Sequence, residues 1–264
     1  MLKLINSDVR WVRLTTLAVS LVAGALLWEI VGWSFNPAIM VPLIGGEGHE
    51  GAAPRLYEYI FNDEEFRQSF VGSVKLFATG FVLGVLAAVP LGILMARLAL
   101  FRIAFETYIL ILYVTPMVAL IPFILTIVGF GFWPKVLVVF LFTFFPVLYN
   151  TLEGARSVKP ELLEVAKSFR ASEAAIWTDI LIPYTLPFAL TGIRQATGRA
   201  LVGMIAAELL LSTSGLGMEI VVASRNFDMA GVLATLIVIT VFGVVMMRGA
   251  QVLERRYAAW RGVE

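Results

Sequence analysis

Cysteine is absent from this chain of 264 residues, and histidine occurs once, at position 49. The first absence excludes a disulfide framework, thiol catalysis and a zinc–cysteine site, and leaves the redox compartment unreadable. The second leaves little for a metal: His49 sits in a glycine-rich stretch with Glu47 and Glu50, which reads first as a solvated loop, and no metal site is expected. Also missing are a Gly-x-Ser-x-Gly elbow, a His-Glu-x-x-His pair and a Gly-rich loop ending in Lys-Ser/Thr, so neither a hydrolase centre nor a phosphate cradle is visible. Charge is scarce as well. Only 15% of residues are charged, against about 25% in soluble domains.

Apolar sequence fills the space, at 59% of residues and a mean hydropathy of +0.89. One globule cannot hide that much apolar surface from water, so lipid is the expected solvent. A bilayer core of about 30 Å takes roughly 20 apolar residues as a helix, because backbone groups there must bond within the segment. Six runs approach that length, at about Leu14–Trp33, Val74–Ala96, Ile103–Val128, Val136–Leu152, Leu186–Leu211 and Met229–Met247. They are continuous rather than alternating, which excludes a transmembrane barrel. The first run is long, carries Trp28 and Glu29 and has no small-residue cleavage site before Pro37, so it reads as a retained span. The fold class is therefore an all-α integral membrane protein of about six helices.

Basic residues orient it. With the N-terminus cytoplasmic, thirteen fall inside (Lys3, Arg10, Arg13, Arg97, Arg102, Arg156, Lys159, Lys167, Arg170, Arg248, Arg255, Arg256, Arg261) and four outside (Arg55, Arg67, Lys135, Arg225). Positive residues stay inside, so both termini are expected in the cytoplasm. The remaining three, Lys75, Arg194 and Arg199, fall within spans. Pro90, Pro116, Pro122 and Pro146, with the pairs Gly80/Gly84 and Gly192/Gly198, interrupt the spans. They read as kinks and packing seams or, at Pro116 and Pro122, as a hinge.

One long inner loop, Glu153 to Pro183, reads as two short amphipathic helices. Lys159-Pro160 opens the first, and Ser172 caps the second from Glu173. They suit either docking or packing beneath the bundle. In this loop Glu164-Val165-Ala166 is followed after three residues by Arg170 and, after nine more, by Ile180-Leu181-Ile182-Pro183.

That spacing resembles the cytoplasmic motif of binding-protein-dependent ABC importer permeases, Glu-Ala-Ala, three residues, Gly, nine residues, Ile-x-Leu-Pro. Arg170 replaces the motif's glycine. Leu186-Pro187, Thr191-Gly192-Ile193-Arg194, Gly198-Arg199-Ala200, Glu208 and Ser214-Gly215-Leu216-Gly217 extend the resemblance toward the nitrate, sulfonate and taurine branch. The resemblance implies a type I ABC importer permease fold, with a permease core over 70–248, an N-terminal region 1–69 and a cytoplasmic tail 249–264. It implies no enzyme activity or cofactor in this chain, ATP and Mg in two partner ATPase subunits, an external solute-binding protein, a second copy of the permease and a multi-pass place in a bacterial-type inner membrane. Glu164, Val165, Ala166, Arg170, Ile180 and Pro183 are then the ATPase-coupling residues. A secondary transporter or channel without an ATPase is the alternative, but repeat symmetry and a line of intramembrane acids are not evident.

Ionisable residues inside a bilayer cost several kcal/mol and turn to protein or a wet cavity. At about 1.5 Å per residue from Leu186, Arg194 lies roughly 12 Å in and Arg199 roughly 20 Å in, with Glu208 near the outer end. Arg199, Glu208 and Arg194 are candidates for a translocation path, where a cation eases passage of an anionic solute. A buried ion pair or a carbonyl-capped arginine is the structural alternative.

Overall fold

The computed structural model describes residues 10–36, 40–46, 50–211 and 214–258. Glu47 and His49 lie outside them. The described elements are all helices: α1 (Arg10–Ser34), α2 (Ala52–Phe61), α3 (Glu64–Arg97), α4 (Ala99–Val114), α5 (Met117–Val128), α6 (Phe132–Arg156), α7 (Pro160–Ser168), α8 (Ile182–Leu211), α9 (Leu216–Arg225) and α10 (Met229–Ala258). The chain forms two compact units, one of residues 1–67 with 219–238, the other of 68–218 with 239–264. Positions 69/70 and 248/249 lie within helices α3 and α10.

In the second unit α3 and α6 are joined by a seam with a four-residue period. A Cβ added at Gly80 would stand 2.5 Å from Val139 Cβ, one at Gly84 2.7 Å from Thr143 Cβ, and one at Gly92 2.9 Å from Thr151 Cβ. Ala88 and Val147, fully buried, continue the two rows. Residues four apart form one ridge of a helix, and small side chains let such ridges approach closely in lipid, where dispersion rather than water drives association. The register rises together on both helices, so α3 and α6 run parallel.

That direction decides the third span. Among the described residues five helices are long and apolar enough to cross, and α4 and α5 pass only as a pair bent by 103°. Between two parallel helices the chain must return to its starting side, so the bent pair is one crossing and the spans among the described residues number six. The continuous helix expected over Ile103–Val128 is thus corrected to two. The break at Thr115–Pro116 arises because Pro116 has no N–H and its ring crowds the carbonyl four residues back. Pro122 is carried within α5.

Helix α8 packs antiparallel against α6: Gly154 meets Phe188, Gly192 meets Asn150, and Gly203 meets Phe142. Leu76, Val139, Ala200 and Met204 form a core near one end of this unit, and Ala88, Met95, Leu148 and Ala196 another.

In the first unit, Glu29 of α1 accepts N–H bonds from Leu43 at 2.8 Å and Ile44 at 3.0 Å, and from the Trp33 indole at 2.9 Å. The carboxylate thus fixes the turn that follows its own span. Arg55 on α2 donates to Asp228 through Nε at 3.1 Å and Nη2 at 2.5 Å, and to Glu58 at 2.8 Å. Those two carboxylates hold the Arg55 guanidinium above its ordinary pKa, and burial pushes the neighbouring Tyr59 phenol upward. Along α1, Leu21, Leu27 and Ile30 are exposed, as lipid-facing side chains are.

Candidate functional site: the inner loop and the charged fifth span

The loop after α6 builds α7 on its own local signals. Pro160 occupies the first turn, where its missing N–H costs nothing, and Glu161 lies near the positive helix end. Leu163 and Ala166 pack on a buried cluster of Val158, Ile176 and Leu181. The adjoining face carries a second apolar stripe, Leu162, Val165 and Phe169, with Phe169 84% exposed. Spacings of three and four residues put these three on one face. Reading the loop as a single mixed face concealed this division, although the two offset stripes are present in the sequence.

Helix α7 ends in a Schellman turn. The Ala171 N–H reaches the Ala166 carbonyl at 2.9 Å, and the Arg170 N–H reaches the Lys167 carbonyl at 2.9 Å. Arg170 has φ 55°. It therefore takes the left-handed conformation that glycine adopts freely, at a cost of about 1 kcal/mol for a residue with a Cβ. A left-handed turn thus forms at the position of the motif's glycine, with an arginine in its place.

Beyond the turn, Ser172 caps the chain, its hydroxyl accepting from the Ala175 N–H at 3.2 Å. The second helix differs from expectation. It does not end at Pro183: one α-turn, Glu173–Ala175, passes into a π segment, Ile176–Leu181, which enters α8 directly. The Ile182 N–H bonds the Trp177 carbonyl, five residues back. This wider turn moves backbone carbonyls aside for the Pro183 ring, a recognised cause of helix irregularity. Glu164, Val165, Arg170 and Pro183 are exposed, whereas Ala166 and Ile180 turn toward the buried cluster. Ion pairs fasten the loop's surroundings, Arg97 to Glu173 at 2.6 Å and Arg156 to Glu106 at 2.6 Å.

The three ionisable groups of α8 have different surroundings. Glu208 is enclosed, with 1% of its surface exposed. Ser73 Oγ donates to Oε1 at 2.6 Å, the Gly217 N–H donates to Oε2 at 2.9 Å, and Ser73 Oγ in turn accepts from the Leu216 N–H at 2.9 Å. Glu208 thus ties α3 to the start of α9. Gly215, at φ 105°, is required there, since a Cβ would strike the Glu208 carboxyl. Arg194 Nε lies 2.7 Å from Glu254 of α10 without the angle of a hydrogen bond, and Thr191 donates to the same carboxylate at 2.8 Å. Arg199 is exposed and engages Tyr113: Nη2 to Oη at 3.2 Å, and Cζ 4.9 Å from the ring centre.

The profile of the family described as "Binding-protein-dependent transport system inner membrane component" matches residues 66–259. The chain belongs to this family. A probable ABC transporter permease of Brucella abortus (strain 2308) is 30% identical over 94% of this chain and 98% of its own length. The taurine transport system permease protein of Escherichia coli K12 is 30% identical over 76% of this chain and 74% of its own. Among solved structures, a chain of the bacterial alginate ABC transporter superposes with a TM-score of 0.59 at 15% identity, covering 93% of this chain and 96% of that one, which shows the shared fold. The protein is a multi-pass inner-membrane permease component of the ABC importer class, in the nitrate, sulfonate and taurine branch.

Proposed function

We propose that this chain is the membrane-spanning subunit of an ATP-driven importer that passes a small anionic solute, handed over by an external binding protein, and that two separate ATPase subunits drive it through α7. The observation that carries this reading is the exposed stripe of Leu162, Val165 and Phe169, rimmed by Glu164 and Arg170, on a loop that has the family motif's spacing. A cytoplasmic apolar stripe of this kind needs cover, and a groove on an ATPase supplies it. ATP and Mg are held by that partner. The permease acts with a second copy of itself, its core over 70–248 with 249–264 as a cytoplasmic tail. The solute class is supported by the name of the taurine relative, taurine being a sulfonate, and by Arg199. The structurally similar alginate ABC transporter is in complex with an alginate-bound periplasmic protein, which supports an external partner here. Glu208 and Arg194 are engaged as clamps, so of the three candidates Arg199 lines the path. No observation favours transport without an ATPase.

Glu164→Ala is expected to leave expression and insertion normal while weakening co-purification of the ATPase or uptake by on the order of tenfold, as loss of one partner in a docked ion pair does. Glu161→Ala, one turn earlier on α7 at a position without a counterpart in the family motif, is the milder control. Equal, near-normal uptake and co-purification for both variants removes the coupling role.

Orientation has a separate check, aided by the lack of native cysteine. Both termini are proposed to be cytoplasmic. Single cysteines at the exposed positions Ser172 and Asn62, treated in intact cells with an impermeant maleimide, should label at Asn62 and not at Ser172. The opposite pattern inverts the topology.

A further inference from the structure

Arg199 stands about 18 Å along α8 from its outer end at Leu211, so it lies in the middle of a span. Among the described residues no carboxylate pairs with it, although Arg194 on the same helix has Glu254. The Arg199 guanidinium rests on Tyr113, which donates no charge, and Tyr113 stacks on Tyr149 of α6 with ring centres 5.2 Å apart. Gln195 and Val202, one turn to either side of Arg199, are exposed with it. A cation at this depth facing outward from its own subunit cannot be left against lipid tails.

Tyr113 is in the last turn of α4, two residues before Thr115, where the third span breaks. The hydrogen bond of the mid-membrane cation is thus made to the edge of the 103° bend between α4 and α5. A cation on an aromatic face is held more weakly than by an anion, because a carboxylate or sulfonate accepts two charge-assisted N–H bonds from the guanidinium fork. An arriving anion therefore outcompetes the ring.

We propose that Arg199 and Tyr113 form an anion-displaced latch: the anionic group of the solute takes the guanidinium from Tyr113 and so frees the end of α4 to pivot at Thr115–Pro116. The ligand class is a small organic sulfonate or carboxylate. Occupancy of the site and movement of the broken span are then one event, since the same guanidinium serves both. This rests on the reading that the Gln195–Arg199–Val202 face lines the translocation path.

The test uses the full transporter with its partners in proteoliposomes and two single-cysteine chains. Val202→Cys reports on the charge of the path. Its reaction rate with an anionic methanethiosulfonate reagent relative to a cationic one should fall at least fivefold on adding Arg199→Gln, and methanesulfonate should slow the anionic reagent. Thr115→Cys reports on the break, and methanesulfonate should change its labelling rate severalfold with Arg199 present and not in Arg199→Gln. If Val202→Cys reacts with neither reagent, the face is not wet, and the path reading falls together with the latch. If it reacts with both at a ratio indifferent to Arg199, the path stands and the anion site is overturned. A charge-dependent ratio with no methanesulfonate effect at Thr115→Cys overturns the latch alone.

Discussion

Glu208→Ala should lower the melting temperature of the purified chain more than any other change to the ionisable groups of α8. Removing the carboxyl leaves the Ser73 hydroxyl and the Gly217 N–H without their acceptor, in a site with 1% exposure. Each orphaned buried donor costs about 1–3 kcal/mol, so a loss of roughly 2–6 kcal/mol is expected. The damage should spread along the relay. Ser73 also accepts the Leu216 N–H, so the first turn of α9 loses its orientation as well. Glu208→Gln keeps an oxygen for one donor and should recover part of the loss. Thermal unfolding in detergent, followed by the loss of helical circular dichroism, measures the order. Equal melting temperatures for wild type and Glu208→Ala would show that the clamp does not contribute.

Gly84→Leu should prevent assembly of the bundle. Position 84 faces Thr143, and even a methyl group there would sit 2.7 Å from its Cβ and 3.1 Å from the Phe140 carbonyl oxygen. Overpacking of this kind costs about 1–3 kcal/mol for Gly84→Ala, and more for a side chain that has no room to rotate away. The backbone carbonyl cannot yield without parting the two helices. The expected result is loss of a monodisperse species on size-exclusion chromatography for Gly84→Leu, with Gly84→Ala intermediate. Gly72→Leu is the control on the same helix, because a Cβ at Gly72 meets nothing within 4 Å. Matching profiles for Gly84→Leu and Gly72→Leu would mean that the seam does not hold α3 to α6.

Much of the architecture is legible in hydropathy because a span has to be apolar for its whole length. The positions of α1, α3, α6, α8 and α10 follow from that constraint alone. The break between α4 and α5 does not, since Ile103–Val128 is equally apolar on both sides of it. Only Thr115-Pro116 marks the place, and the same residues can kink a helix without ending it. The inner loop's motif spacing is readable residue by residue, yet the conformation at Arg170 is not. A left-handed arginine is chosen by the hydrogen bonds around it, against its own preference.

The charged groups divide along the same line. Their depth can be counted from the span ends, but their partners lie far off in the chain. Ser73 is 135 residues from Glu208, and Asp228 is 173 from Arg55. No local pattern joins such pairs. Glu29 illustrates the point at shorter range: its place near a span end suggests snorkelling, whereas it in fact binds backbone N–H groups 14 and 15 residues on.

The parallel zipper between α3 and α6 sets terms for any motion of the subunit. Two helices locked at every fourth residue over Gly80–Gly92 and Val139–Thr151 cannot slide by less than a full tooth, so they behave as one strut. The stretch of chain between them has the opposite character, being jointed at Thr115 and Pro116. For the import function proposed above, the jointed pair α4 and α5 is the segment expected to move, and the α3–α6 pair the part expected to stay fixed.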